Sequence, residues 1–226
     1  MRQCNLKKLL AYGLAAILIP ISHAGEWREW YEDILPKAHN GDAEAQYYLC
    51  GMYLRGKEVP LDYEQGNEWC RKSAEQGFAG AQIWLGNSYH AGRGVAKDYD
   101  VAFRWYKMAA DQGDTGGDGE LQVGKAYYSG DGVPRDLYLA HQWYEKASMH
   151  GSQEGQFLLG RMYMRGQGGP KNFLLADMWF SVSAAEGHKR SKDILDRRRA
   201  VWTEIELMAV QALASKCHET NYHDCG

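Results

Sequence analysis

The chain has 226 residues, 45% of them hydrophobic and 24% charged, and its formal net charge is −3. That mixture is too apolar for a disordered tail and too varied for collagen or a coiled coil. It contains no apolar run of about 18 residues to cross a membrane, and a mildly acidic chain matches nucleic acid poorly.

The first segment, residues 1–24, reads as an export signal. Arg2, Lys7 and Lys8 make a positive start, Leu9 to Ile19 is apolar, and Ser22-His23-Ala24 offers small residues on either side of His23 before a cut ahead of Gly25. A periplasmic or secreted location follows from this. Cleavage discards Cys4 and leaves Cys50, Cys70, Cys217 and Cys225. An even number of cysteines in an exported protein suggests two disulfides. Residues 25–40 are expected to form an N-terminal capping helix, kinked at Pro36 because proline has no N–H to give.

A repeat begins at Gly41. Trp69, Trp105, Trp143 and Trp179 lie 36, 38 and 36 residues apart, and Gly41, Gly77, Gly113, Gly151 and Gly187 are spaced 36, 36, 38 and 36. Such a period marks a stacked array. The spacing predicts repeats over 41–76, 77–112, 113–150 and 151–186, then a partial repeat with a capping helix and tail over 187–226. Within each, an alanine-rich segment is followed by a turn (Gly92 to Val95, Gly130 to Val133), then by a second segment carrying Trp and an aromatic residue. Asp62, Asp98, Asp136 and Asn172 share one slot, where each can cap the second helix. The junction glycines stand where a left-handed C-terminal cap is wanted. Every unit is thus a helical hairpin that must stack on its neighbours to bury its apolar stripe. Thr203 and Glu206 form a capping box for the last helix.

Gly-Asp-Ala-Glu-Ala-Gln-Tyr at 41–47, Gly-Arg-Gly-Val-Ala-Lys-Asp-Tyr at 92–99 and Trp-Tyr-Lys-Met-Ala-Ala-Asp-Gln-Gly at 105–113 closely resemble the Sel-one-like repeat. That family is related to the tetratricopeptide repeat. The resemblance implies an all-α fold, a right-handed α-solenoid of stacked helical hairpins whose concave face binds a protein partner. It implies an inner stripe at Tyr47, Gly51 and Leu54; Ile83, Asn87 and His90; Leu121, Lys125 and Tyr128; and Phe157, Arg161 and Met164. Tyr48 and Trp84 flank it. Ile83 and Leu121 are equally good candidates for packing between helices.

Departures from the repeat are individual to this chain. In the first unit Cys50 replaces the expected Gly and Cys70 the expected aromatic residue, so a disulfide joining the two facing helices is the economical explanation. Cys217, His218, His223 and Cys225 admit either a zinc site or a disulfide closing a short loop, and cysteine-rich relatives carry disulfides at that spacing. The extra residues near Asp114 to Gly119 make either a tolerated loop or a bend at a partner site. His90, His141, His150 and His188 read as solvent-facing helix residues. Lys189, Arg190, Lys192 and Arg197 to Arg199 form a basic patch.

No Ser-x-x-Lys, Gly-x-Ser-x-Gly, His-Glu-x-x-His or phosphate-loop motif is present. No cofactor or metal is therefore expected, and the reading is of a non-enzymatic exported scaffold. Among the roles the resemblance implies are neutralising a secreted type VI lipase toxin and binding a host or envelope protein. The alternative is a peptidoglycan- or β-lactam-active protein, as described for cysteine-rich relatives. N-terminal sequencing of the mature protein should begin at Gly25; mature protein retaining Met1 would reject export by this signal.

Overall fold

The computed structural model describes residues 24–57, 59–113, 115–200, 202–223 and 225. The expected signal segment up to His23, with Cys4, lies outside the described residues, as does Asp114. Within them are eleven helices and no strand: α1 Ala24–His39, α2 Ala43–Arg55, α3 Tyr63–Glu75, α4 Ala79–Ala91, α5 Tyr99–Ala110, α6 Asp118–Ser129, α7 Leu137–Met149, α8 Gln153–Arg165, α9 Phe173–Ala185, α10 Lys189–Arg199 and α11 Glu204–Glu219. From α1 to α10 each helix packs on the next, and adjacent first helices also touch at α2 with α4 and α4 with α6. The result is a solenoid of four full hairpins between end helices. Pro36 sits inside α1, which continues through it to His39.

The helices end where the chain's capping chemistry says they should. Asp62, Asp98, Asp136 and Asn172 accept the backbone N–H groups of Gln65, Val101, Leu139 and Leu175 at 2.9–3.0 Å. Such caps are worth about 1 kcal/mol each. The same four residues donate their own N–H groups to the carbonyls of Tyr53, Tyr89, Tyr127 and Tyr163 at 2.9–3.0 Å, closing each hairpin turn. Gly56, Gly92, Gly130 and Gly166 finish the first helices in the left-handed conformation. In the turn, Gly94 abuts the start of α3, where a Cβ would come within 2.5 Å of the Tyr63 carbonyl carbon.

Within each hairpin, one close contact sets the spacing. A Cβ on Gly86 would lie 2.5 Å from the Tyr106 ring, and one on Gly124 would lie 2.6 Å from Tyr144. Gly160 faces Phe180 in the same way. The aromatic ring fills the space that the missing side chain leaves. In the first unit the equivalent residues, Cys50 and Cys70, stand at disulfide distance with Cα atoms 5.0 Å apart, and both are fully buried.

A second device, not anticipated from the sequence, ties successive hairpins together. Gln46 donates to Ala38 O at 3.0 Å and accepts from Gln76 at 2.7 Å. One unit on, Gln82 donates to Ala74 O at 3.2 Å and accepts from Gln112 at 2.8 Å. The third unit replaces the amide pair by Glu120 and His150, 2.8 Å apart, with Glu120 only 1% exposed. In the fourth, Glu186 takes a hydrogen bond from Tyr222 at 2.6 Å, and Gln156 Oε1 has no partner among the described residues. Burial and the Glu186 carboxylate push the Tyr222 phenol up to about 12.

The C-terminal end departs from the repeat, because α11 packs on α9 instead of pairing with α10. Asp177, 3% exposed, anchors that arrangement by accepting hydrogen bonds from Arg198 Nη2 at 2.7 Å and from Trp202 Nε1 at 2.9 Å. The Thr203–Glu206 capping box starts α11, with Thr203 N donating to Glu206 at 2.8 Å. Beyond it, Cys217 and Cys225 are at disulfide distance, with Cα atoms 4.4 Å apart.

Two stability outcomes follow from this packing. Gly86→Ala should lower the unfolding free energy by about 1–3 kcal/mol, because its Cβ meets a buried ring. Gly51→Ala, where a Cβ meets nothing within 4 Å, should instead gain about 1 kcal/mol of helix propensity. Urea denaturation of both variants measures the contrast. Reduction of the Cys50–Cys70 link, which closes a sequence separation of 20, should cost about 3 kcal/mol, read as a lower thermal midpoint under reducing conditions.

Candidate functional site

The expected inner stripe divides into residues that the packing consumes and residues that it leaves available. Phe157 belongs to the first group. It is 3% exposed, packs on Phe180 and His188 with ring centroids 5.9 and 4.7 Å away, and is covered by the guanidinium groups of Arg190 and Arg161 at 4.6 and 5.6 Å. As a surface for a partner it is therefore corrected to a core residue. Leu121 is also buried. Tyr47 stacks on Phe78 at 4.8 Å, between α2 and α4, and Met164 packs half-buried beside the Phe157 cluster. Tyr48 remains 40% exposed, with its hydroxyl donating to Glu44 at 3.0 Å. Trp84 lies half-buried under the Arg55 guanidinium, 4.7 Å from its ring centre.

The available residues converge on a cleft of about 340 Å³ between α4, α5 and α6. Asn87 and His90 of α4 form one wall, and Gln122, Lys125 and Ser129 of α6 the other. Tyr106 and Phe103 make the floor with Ala102. The volume falls within the usual range for a site that takes a small molecule or a large side chain. Tyr106 donates its hydroxyl to Asn87 Oδ1 at 2.8 Å, which orients the Asn87 amide; its Nδ2 has no partner among the described residues. His90 Nε2 lies 3.2 Å from Asp131 Oδ2, so a first-helix residue of the second unit is joined to the turn of the third. The same bridge recurs one unit on, where Tyr128 reaches Gln167 at 3.5 Å.

Lys125 sits at the cleft's edge. Burial holds its amine below the ordinary lysine range, against the pull of Glu154 and Asp118. No hydrogen bond or close ion pair engages its Nζ among the described residues. Arg161, one unit further, rests on the Phe157 ring and likewise has no hydrogen-bonded anion. Glu154 is already engaged by Arg190 at 2.5 Å and His188 at 3.1 Å. Burial would raise its pKa, but those two donors prevail and hold it below the usual carboxylate range.

The histidines differ from expectation. None of the four is simply a solvent-facing helix residue. His90 faces Asp131, and His150 follows α7 and bonds to buried Glu120. His188 caps α10, accepting from Ser191 N at 3.2 Å. His141 packs edge-on against Tyr163 at 4.8 Å, and its burial lowers its pKa. Arg198 of the basic patch is spent on Asp177, and Arg190 on Glu154. Asp131 was missed altogether. Its signal was a change of sign, since the equivalent turn residues are Lys57, Arg93 and Gln167.

The model of the Sel1 repeat matches residues 43–78, 79–114, 117–152 and 153–188, and the chain belongs to that family. Three of its repeats start two residues later than the junction glycines suggest and the third starts four later, because residues 115 and 116 fall between the second and third. The chain is similar to the crystal structure of a Sel1 repeat protein from Oxalobacter formigenes, at 30% identity and a TM-score of 0.65, covering 69% of this chain and 63% of that one. It is also similar to c5321, described as a protective antigen of uropathogenic Escherichia coli displaying an SLR fold, at 27% identity and TM-score 0.51, with coverage of 86% and 49%. This chain thus spans less than two thirds of the length of either. A protein from Klebsiella pneumoniae subsp. pneumoniae, 24% identical with a TM-score of 0.52 over 77% and 86% of the chains, shares the fold. No curated protein matches the sequence.

Proposed function

We propose that the protein is an exported, non-enzymatic scaffold that holds a protein partner along the inner stripe, with the cleft between α4 and α6 as its main anchor point. The observation that carries this reading is the set of unspent polar groups there. Among the described residues, exposed Asn87 Nδ2 and the half-buried Lys125 Nζ and Arg161 guanidinium have no hydrogen-bonded partner, whereas the buried Gln46, Gln82 and Glu120 are all paired. These donors remain open to a partner, and hydrogen bonds from the Lys125 and Arg161 cations to a carboxylate or carbonyl belong to the stronger, charge-assisted kind. Half-buried Tyr128 and Trp84 flank these donors, and aromatic residues with Arg are what interface centres favour. Sel1 repeats support binding of protein in general; a secreted lipase effector, neutralised as by exported relatives, is the specific partner proposed for testing first.

Site-specific photocrosslinking tests the surface. A crosslinker placed at Asn87 should capture that lipase, or another envelope protein, reproducibly, whereas one at Tyr138, 61% exposed on α7, should not. Tyr128→Ala should weaken that capture by an amount equivalent to about 2 kcal/mol, as expected for an aromatic anchor. Equal capture at Asn87 and Tyr138, or capture untouched by Tyr128→Ala, would place the interface elsewhere.

A further inference from the structure

The charge of the inner stripe changes along the array in a way that identifies the chemistry of its occupant. Gly51, Asn87, Lys125, Arg161 and Arg197 hold one register position on the successive first helices α2, α4, α6, α8 and α10. The first two are uncharged and the last three are basic. Arg190, also on α10, adds a fourth cation over the Phe157 ring that Arg161 also covers. The anions acting on Lys125 are Asp118 on α6 and Glu154 on α8, and Asp131 lines the cleft between Asn87 and Lys125, where it faces His90. Glu154 is committed to Arg190 and His188, and Arg197 bonds its own helix at Asp193 O, 3.1 Å away. Lys125 and Arg161 remain without a bonded anion.

On the strength of the inner-stripe reading above, we propose that the partner presents an acidic, extended protein segment whose carboxylates meet Lys125, Arg161 and Arg197 one rung at a time. Successive first helices stand one repeat apart and touch at α2 with α4 and α4 with α6, so one rung is taken as one interhelix distance of about 8–10 Å, while an extended chain advances about 3.3 Å per residue. Successive rungs are therefore met by acidic residues roughly three positions apart. Lys125, Arg161 and Arg197 each supply N–H donors to one carboxylate, and Arg does so bidentately. Asn87, at the uncharged end of the ladder, bonds the segment's backbone instead, and the adjoining cleft takes one of its side chains. A net charge of −3 on the whole chain disfavours a long polyanion that would extend beyond the basic stripe.

The test uses the mature, oxidised protein and fluorescein-labelled peptides of one length. One has Glu at every third position in a Gly/Ser background, one has the same Glu residues clustered, and one has Gln in place of Glu. At about 50 mM salt, where screening is weak, the spaced peptide should bind at least roughly tenfold more tightly than the other two. Lys125→Glu with Arg161→Glu should abolish that preference, and the milder Lys125→Gln with Arg161→Gln pair should weaken it in the same order. Lys146→Glu with Lys171→Glu, of equal charge on exposed positions away from the stripe, should leave it intact. Equal binding of the spaced and clustered peptides, indifference to both stripe pairs, or equally tight binding of an oligothymidylate would overturn the proposal. Should peptide binding fail while the Asn87 crosslink persists, the acidic assignment alone is lost. Failure of both removes the inner stripe as the site.

Discussion

The structure depends on how closely two helices can approach inside each hairpin, and that distance is set by a glycine opposite an aromatic ring. Gly86 and Tyr106, Gly124 and Tyr144, and Gly160 and Phe180 repeat the contact in three units. Glycine costs each first helix about 1 kcal/mol of propensity, so its retention mid-helix needs a reason. The ring supplies it, because a large apolar surface becomes fully buried in a space no other residue leaves. Tyr106 and Tyr144 are almost fully buried there, and their phenols are pushed well above the ordinary range by that burial. The first unit meets the same constraint differently: Cys50 and Cys70 bridge the gap covalently. A hairpin at the end of an array has a neighbour of its own kind on one side only, and a cross-link there offsets the missing repeat interface.

Most of this architecture was legible in the chain. The capping residues and the left-handed glycines are local features, repeated in register, and each has one physical explanation. The Cys50–Cys70 juxtaposition was legible for the same reason, since both residues break a pattern at facing positions. What was not legible depends on contacts between residues far apart along the chain. The Gln46–Gln76 and Gln82–Gln112 pairs span thirty residues each, and a glutamine on a helix looks like a surface residue until its neighbour is known. The seating of α11 on α9 is likewise a tertiary choice, made by buried Asp177 gripping Arg198 and Trp202. In the sequence, Arg198 is indistinguishable from the exposed arginines beside it.

The candidate site shows the same division. The register of the inner stripe placed Asn87, His90 and Lys125 on one cleft, but register says only where a residue stands, not how its bonds are spent. Phe157 occupies a stripe position and is nevertheless core, because Arg161 and Arg190 close over its ring. Conversely, Asp131 and Tyr106 shape the cleft from a turn and a second helix, outside the stripe.

The two ladders, buried and exposed, also explain each other. The first helices α2 and α4 each carry an inward amide that bonds back to the preceding helix and across to the end of its own hairpin, and an outward residue one turn along. Where the inward position is satisfied within the array, the helices are fixed in relative rotation, and the outward residues fall into line at one spacing. The third unit loosens this rule twice, with Glu120 in place of the amide and with two residues inserted before α6. Gly117, left-handed with φ 83°, lets the inserted turn lie against α7, and Glu120 keeps its bond through His150 instead of a glutamine. The register of Lys125 with Arg161 therefore survives the insertion. The stripe changes from neutral to basic at this same unit, where a carboxylate–imidazole pair stands in place of an amide pair.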